Sequence, residues 1–140
     1  MKIATLIARN LLGLLFLVMG LNGFLLFIPM PPPTGLAGQY FAVLFVSHYL
    51  VAVFLVQVIG GALLLANRFV PLALILLGPI LVNILLFHSL MAPAGLPLAL
   101  FTAVLWGILF YGVRRAFAGV FAQRVQTEAE RRLSALSPGE

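Results

Sequence analysis

Four long apolar stretches, each closed by a short polar or Pro/Gly-rich break, divide the first 113 residues. The pattern predicts helices over about 10–28, 40–66, 69–91 and 97–113. The first is long enough to cross a hydrocarbon core of roughly 30 Å. The run Pro31-Pro32-Pro33 after it has no amide donors and favours extended backbone, so the loop 29–38 is read as non-helical. The second segment is long enough to tilt, or to project beyond the hydrocarbon. Asn67-Arg68 forms a tight polar turn, and Pro71 suits the first turn of the third helix. Pro79 falls inside that helix, where it frees a carbonyl near Ile75. A second loop, 92–96, holds Pro93 and Gly95.

Continuous apolar runs, rather than two-residue alternation, exclude a transmembrane barrel and predict an all-α membrane bundle. The Lys2/Arg9 flank before the first run is also a signal-peptide feature. The run exceeds a usual h-region, and no A-x-A site precedes a polar mature domain, so an uncleaved helix is expected. Beyond residue 113 the pattern changes. Phe117, Val120, Phe121, Val125, Ala129, Leu133 and Leu136 recur at helical spacing, and Arg124, Glu128 and Arg132 follow one another at i, i+4 and i+8. Ser137-Pro138-Gly139 closes this stretch. Residues 114–140 thus read as an amphipathic cytoplasmic tail on the inner leaflet or continuing from the fourth helix, with partner docking as the rival reading.

Composition sharpens the picture. The 140 residues are 64% hydrophobic and 8% charged, too few charges to coat a soluble domain of this size. All eight Lys/Arg fall at the N-terminus, in the 67–68 turn or in the tail, and the two other loops hold none. Four spans place those three places on one side, so the positive-inside rule predicts a multi-pass protein with both termini cytoplasmic. The net charge of +5 then serves anionic lipid headgroups at the basic tail, and no nucleic-acid partner is needed. With no cysteine, disulfide, thiolate-metal and CxxC chemistry are excluded within this chain.

Polar residues inside apolar helices are the remaining functional signal. Asn22, His48, Asn83, His88 and Thr102 fall in the outer half, with Gln57 deeper and Trp106 well inside the fourth helix. Counted at about 1.5 Å per residue, Asn22, His48, Asn83 and Thr102 lie roughly 8–13 Å below the helix ends, and His88 is shallower. Facing inward, they would line a pocket open to the outer face. Each also has a plain structural role: the asparagines as interhelical hydrogen-bond glue, Thr102 bonded to its own preceding turn, His88 meeting water at the interface. A buried His48 imidazole would need a partner from Ser47, Tyr49 or an asparagine of another helix. Trp106 needs an acceptor or water for its indole N–H, and could form a pocket wall. Gly13, Gly20, Gly60 and Gly61 read as close-packing positions. Two histidines without an intramembrane acid or thiolate make a poor metal set, and no metal is expected. The matching Asn22-Gly23-Phe24 and Asn83-Ile84-Leu85 stretches, each late in an outward-running helix, suggest two related hairpins.

The stretch Gly20-Leu21-Asn22-Gly23-Phe24, the segment from Gln57 to Leu65 with Asn67-Arg68, and the "PILVNILLFH" pattern from Pro79 to His88 resemble the DoxX-like family of small four-helix bacterial membrane proteins. The Pro/Gly loop after the third helix belongs to the same likeness, which covers about residues 9–118. It departs from the family at Gln57, where many members carry an acidic residue. The resemblance implies a four-helix inner-membrane fold. The family's name is tied to quinone-linked sulfur oxidation, other members resemble accessory partners of oxidative-stress proteins, and distant relatives resemble receptor-assembly factors. Three functions follow as expectations. The first is a noncatalytic accessory subunit binding a quinone or lipid in the outer half. The second is a ligand-free assembly partner of another membrane protein or of a second copy. The third is a quinone-linked oxidoreductase subunit.

Overall fold

The structure, a computed structural model, describes residues 2–120, 122 and 126–136. Its regular elements among those residues are helical: α1 (Lys2–Leu25), α2 (Gly35–Val46), α3 (Tyr49–Leu65), α4 (Val70–Leu90), α5 (Leu96–Val113) and α6 (Glu128–Leu136), with 3-10 turns at Pro93–Gly95 and Arg114–Phe117. Helix α1 packs on α3 and α5, and α4 packs on the same two, so α1, α3, α4 and α5 close a ring. Helices α1 and α4, and the stretch built on α5, are each long and apolar enough to cross a membrane.

The core runs down the inside of this ring. Ala8, Leu12 and Phe16 of α1 meet Leu64 of α3, Leu74, Leu77 and Leu81 of α4, and Leu105 and Leu109 of α5. Their three- and four-residue spacing is the helical period. That period is hidden in the hydropathy pattern because the outward faces are equally apolar: Leu14, Leu55, Ile59, Leu72, Val82, Phe101 and Val104 are all exposed. Such a surface suits lipid, which leaves the buried stripe no more apolar than the exposed one.

Glycines set the closest helix contact. A Cβ on Gly61 of α3 would stand 2.5 Å from the Leu17 nitrogen and 2.7 Å from the Gly13 carbonyl oxygen, both backbone atoms of α1. Only glycine lets the two backbones approach this far.

Three expectations are corrected. The second segment is not one helix over 40–66: it breaks at Ser47-His48, and α2 and α3 meet at 87°. A straight helix of that length would measure about 40 Å, well beyond a hydrocarbon core of roughly 30 Å, whereas the 17 residues of α3 span about 25 Å. His48 makes the bend with a left-handed backbone, φ 59° and ψ 13°. Ser47 steadies it, its hydroxyl donating to the Leu44 carbonyl and accepting from the Tyr49 N–H.

The first helix spans Lys2–Leu25 rather than 10–28. Its C-terminal end comes early because Ile28 precedes Pro29 and is pushed from the helical region. Leu26 turns left-handed, at φ 51°.

The tail is not a single helix carried on from the fourth span. A 3-10 turn follows α5 at Val113, and Phe117, expected on the tail's apolar stripe, is instead buried in the bundle core against Phe110. Helix α6 starts at a Thr127–Glu130 capping box. The Thr127 N–H donates to the Glu130 carboxylate at 2.7 Å, and the Glu130 N–H to the Thr127 hydroxyl at 3.4 Å. Glu128 pairs with Arg132 at 3.7 Å. Phe121, Arg124, Val125 and the 137–139 terminus of the expected stripe lie outside the described residues.

Candidate functional site

The seven polar candidates do not line one pocket. Asn22 is 1% exposed and lies in the last turn of α1. Its Oδ1 accepts the Ile28 N–H at 2.6 Å, and its amide donates to the Ile28 carbonyl at 3.5 Å. It is thus neither glue between helices nor free for a ligand; it folds the loop after α1 back on that helix. His48, expected as a buried imidazole, is exposed at the α2–α3 bend. The correction follows from the bend itself, which puts residue 48 at a helix end instead of mid-span.

Thr102 is buried and donates to the Leu98 carbonyl at 2.8 Å, one turn back on its own helix. Trp106 crosses to α4, where its indole N–H donates to the Leu74 carbonyl at 3.3 Å. The acceptor is one residue before the carbonyl that Pro79 frees. Leu74 is buried on the face towards α5, whereas Ile75 is half exposed on the outside. Gln57 faces α1, with Gly20 opposite its Cβ. It is 6% exposed, and its side chain makes no hydrogen bond among the described residues.

Asn83 and His88 do come together, in the C-terminal part of α4 and beside aromatic residues not expected there. The Tyr40 hydroxyl of α2 donates to the Asn83 Oδ1 at 3.3 Å. The Tyr40 ring stacks on Phe87 at 5.8 Å, and Phe41 meets the same ring edge-on at 5.4 Å. Phe87 in turn lies 5.1 Å from the His88 imidazole. His88 Nδ1 lies 3.0 Å from the Ala92 carbonyl oxygen, which can only accept, so Nδ1 donates this hydrogen bond. A Cβ at Gly95 would overlap this ring, so the Pro93–Gly95 turn closes over His88 only with glycine there.

The result is an aromatic shelf where the Tyr40 and Phe41 side chains of α2 reach α4. Asn83 is exposed beside it, its Oδ1 engaged and its amide donors without a partner among the described residues. Asn83 lies about 10 Å, at 1.5 Å per residue, below the end of α4 at Leu90. The available signal for the shelf was the Tyr40-Phe41 pair straight after a Pro/Gly loop, together with Phe87-His88. Recognising it needed the bend that brings those α2 side chains to α4. The asparagine echo between the two halves has no counterpart in chemistry, since Asn22 is buried and capped while Asn83 is exposed.

No protein-family model, curated protein or solved structure matches the chain.

Proposed function

We propose that this is a noncatalytic multi-pass protein of the bacterial cytoplasmic membrane, both termini cytoplasmic, that holds an amphiphilic small molecule on the α2–α4 shelf. The orientation rests on the placement of all eight Lys/Arg at one end of the four-span order. A helical bundle with three to four membrane-crossing stretches is compatible with the DoxX-like resemblance, which supports the reading.

Asn83 carries the ligand reading. An amide donor exposed on the outside of a spanning helix faces lipid, where an unmade hydrogen bond costs on the order of a few kcal/mol. A ligand carbonyl or ester oxygen would satisfy it, and the rings of Tyr40, Phe41 and Phe87 offer a flat apolar bed beside it. A quinone or a lipid glycerol ester has both parts.

Native mass spectrometry of the full chain released from a mild membrane mimetic tests this. Wild type is expected to retain a discrete quinone or lipid mass. Asn83→Leu should lose it, Tyr40→Phe should weaken it, and Thr102→Val should leave it unchanged. Equal retention by Asn83→Leu and wild type removes the shelf from consideration.

A second reading has its own observation: Leu36, Val43, Phe45 and Val46 of α2 are all exposed. Under that reading the surface assembles with another membrane polypeptide. Recovery of the chain with a second polypeptide and no small molecule, abolished by Val43→Ser/Phe45→Ser, would favour it.

A further inference from the structure

At the opposite end of the bundle, the start of α1, the α3–α4 turn and the end of α5 enclose a partly open cleft of about 190 Å³. Water occupies about 30 Å³ per molecule in the liquid, so the cleft has room for roughly six waters or a group of similar bulk. Lys2 and Arg9 line it from α1, and Asn67 lines it from the turn. Lys2 and Arg9 are seven residues apart, two helical turns, and therefore share one face.

The electrostatics of this cleft are incomplete. Arg9 Nε is buried without a hydrogen-bond partner among the described residues, and its Nη2 makes one long contact, 3.4 Å, to Asn10. The chain has three acidic side chains. Glu128 is paired with Arg132, Glu130 caps Thr127, and Glu140 lies outside the described residues. Two cations therefore face a cavity that neither described carboxylate neutralises. A buried guanidinium edge without an acceptor is costly, and the geometry of its fork matches two oxygens of one anion.

We propose that this cleft binds a phosphate group, presented as the headgroup of a phospholipid in the adjoining leaflet. Phosphate supplies the paired oxygens for the Arg9 fork and the charge for Lys2. Apart from the Thr5 hydroxyl the remaining walls, Leu6, Val70, Leu109 and Val113, are apolar, and Leu6 is half exposed on the outside of α1. An acyl chain leaving the cleft along Leu6 would meet lipid, which an inorganic ion has no use for. This site is separate from the α2–α4 shelf, so either assignment stands if the other fails.

The test uses the full chain in phosphate-free maltoside micelles, titrated with phosphatidylglycerol and read by native mass spectrometry. Wild type and the control Arg68→Gln, whose side chain lies outside the cleft, should retain one phosphatidylglycerol. Arg9→Gln should lower its affinity about tenfold or more, Arg9→Lys less, and Lys2→Gln should reduce it without touching the packed bundle. A second arm adds inorganic phosphate alone. Saturable phosphate binding with the same variant dependence, and displacement of the lipid by it, would keep the phosphate site and make free phosphate its source. Equal lipid retention by Arg68→Gln, Lys2→Gln and a folded Arg9→Gln, or binding of neither probe by wild type, overturns the proposal.

Discussion

The indole N–H of Trp106 reaches the carbonyl oxygen of Leu74 across 3.3 Å, bonding α5 directly to α4 inside an otherwise apolar contact. Trp106 also lies parallel to Phe110 at 5.1 Å, and Phe110 meets Phe117 at 4.9 Å, so a file of three rings backs the bond. Trp106→Phe keeps the stacking and removes the donor. A hydrogen bond between membrane helices is worth about 0.6 kcal/mol on average, so a loss of that order is expected. Trp106→Ala should cost clearly more, about 3 kcal/mol, because the ring stack goes with it. Steric-trap unfolding in bicelles measures both.

Gly61 and Gly107 form a matched pair for helix packing. Gly61→Ala drives a Cβ into the α1 backbone, which has no flexible end to move, and should destabilise by about 1–3 kcal/mol. Gly107 has no atom within 4 Å of the place its Cβ would take. Gly107→Ala should therefore stabilise α5 slightly, by about 0.5–1 kcal/mol. Equal effects in the same unfolding assay would mean that α1 and α3 do not approach so closely.

Asn22→Ala leaves the Ile28 N–H without its acceptor. A loss of about 1–3 kcal/mol is expected, confined to the loop after α1. Hydrogen exchange followed by mass spectrometry should show faster labelling over 26–28, while the Gly61 region keeps its protection. Asn22→Asp retains the acceptor but loses the amide donor to the Ile28 carbonyl and buries a carboxyl group, so it should not restore wild-type protection.

At the α2–α3 bend, a left-handed backbone costs a non-glycine residue about 1–2 kcal/mol. His48→Gly should relieve that strain and keep the 87° angle, whereas His48→Val should oppose the bend. Spin labels at Val43 and Leu55, read by pulsed dipolar spectroscopy, should show the same distance in wild type and His48→Gly. A longer, broader distribution is expected in His48→Val.

What the sequence made legible follows from where polarity and small size are unusual. Gly13, Gly20, Gly60 and Gly61 stand out in Leu-rich helices, and each would carry its Cβ into a neighbouring helix. The unpaired indole of Trp106 demanded an acceptor and has one. The bend at His48 was hidden because no proline or glycine marks it, and Val46 and Tyr49 on either side suit a spanning helix. Missing the bend misplaced His48 and concealed the Tyr40–Asn83 contact. The tail capping box was readable as Thr127-x-x-Glu130, but the longer apolar stripe drew the reading towards one continuous helix. Arg9 was read only as a membrane-facing flank, since its cleft is made by the 67–70 turn and the end of α5, both remote in sequence.

The ring of four helices is closed by its first and last members, with Gly112 of α5 receiving Thr5 of α1. That order has a consequence for biogenesis. As the chain is synthesised, the glycine contact between α1 and α3 is available early, while the other face of α1 waits for the final span to emerge. A ribosome stalled before α5 would hold a bundle with one open seam, bordered by Lys2, Thr5 and Arg9. An insertion chaperone or a neighbouring lipid would have to shield that seam until the last helix seals it.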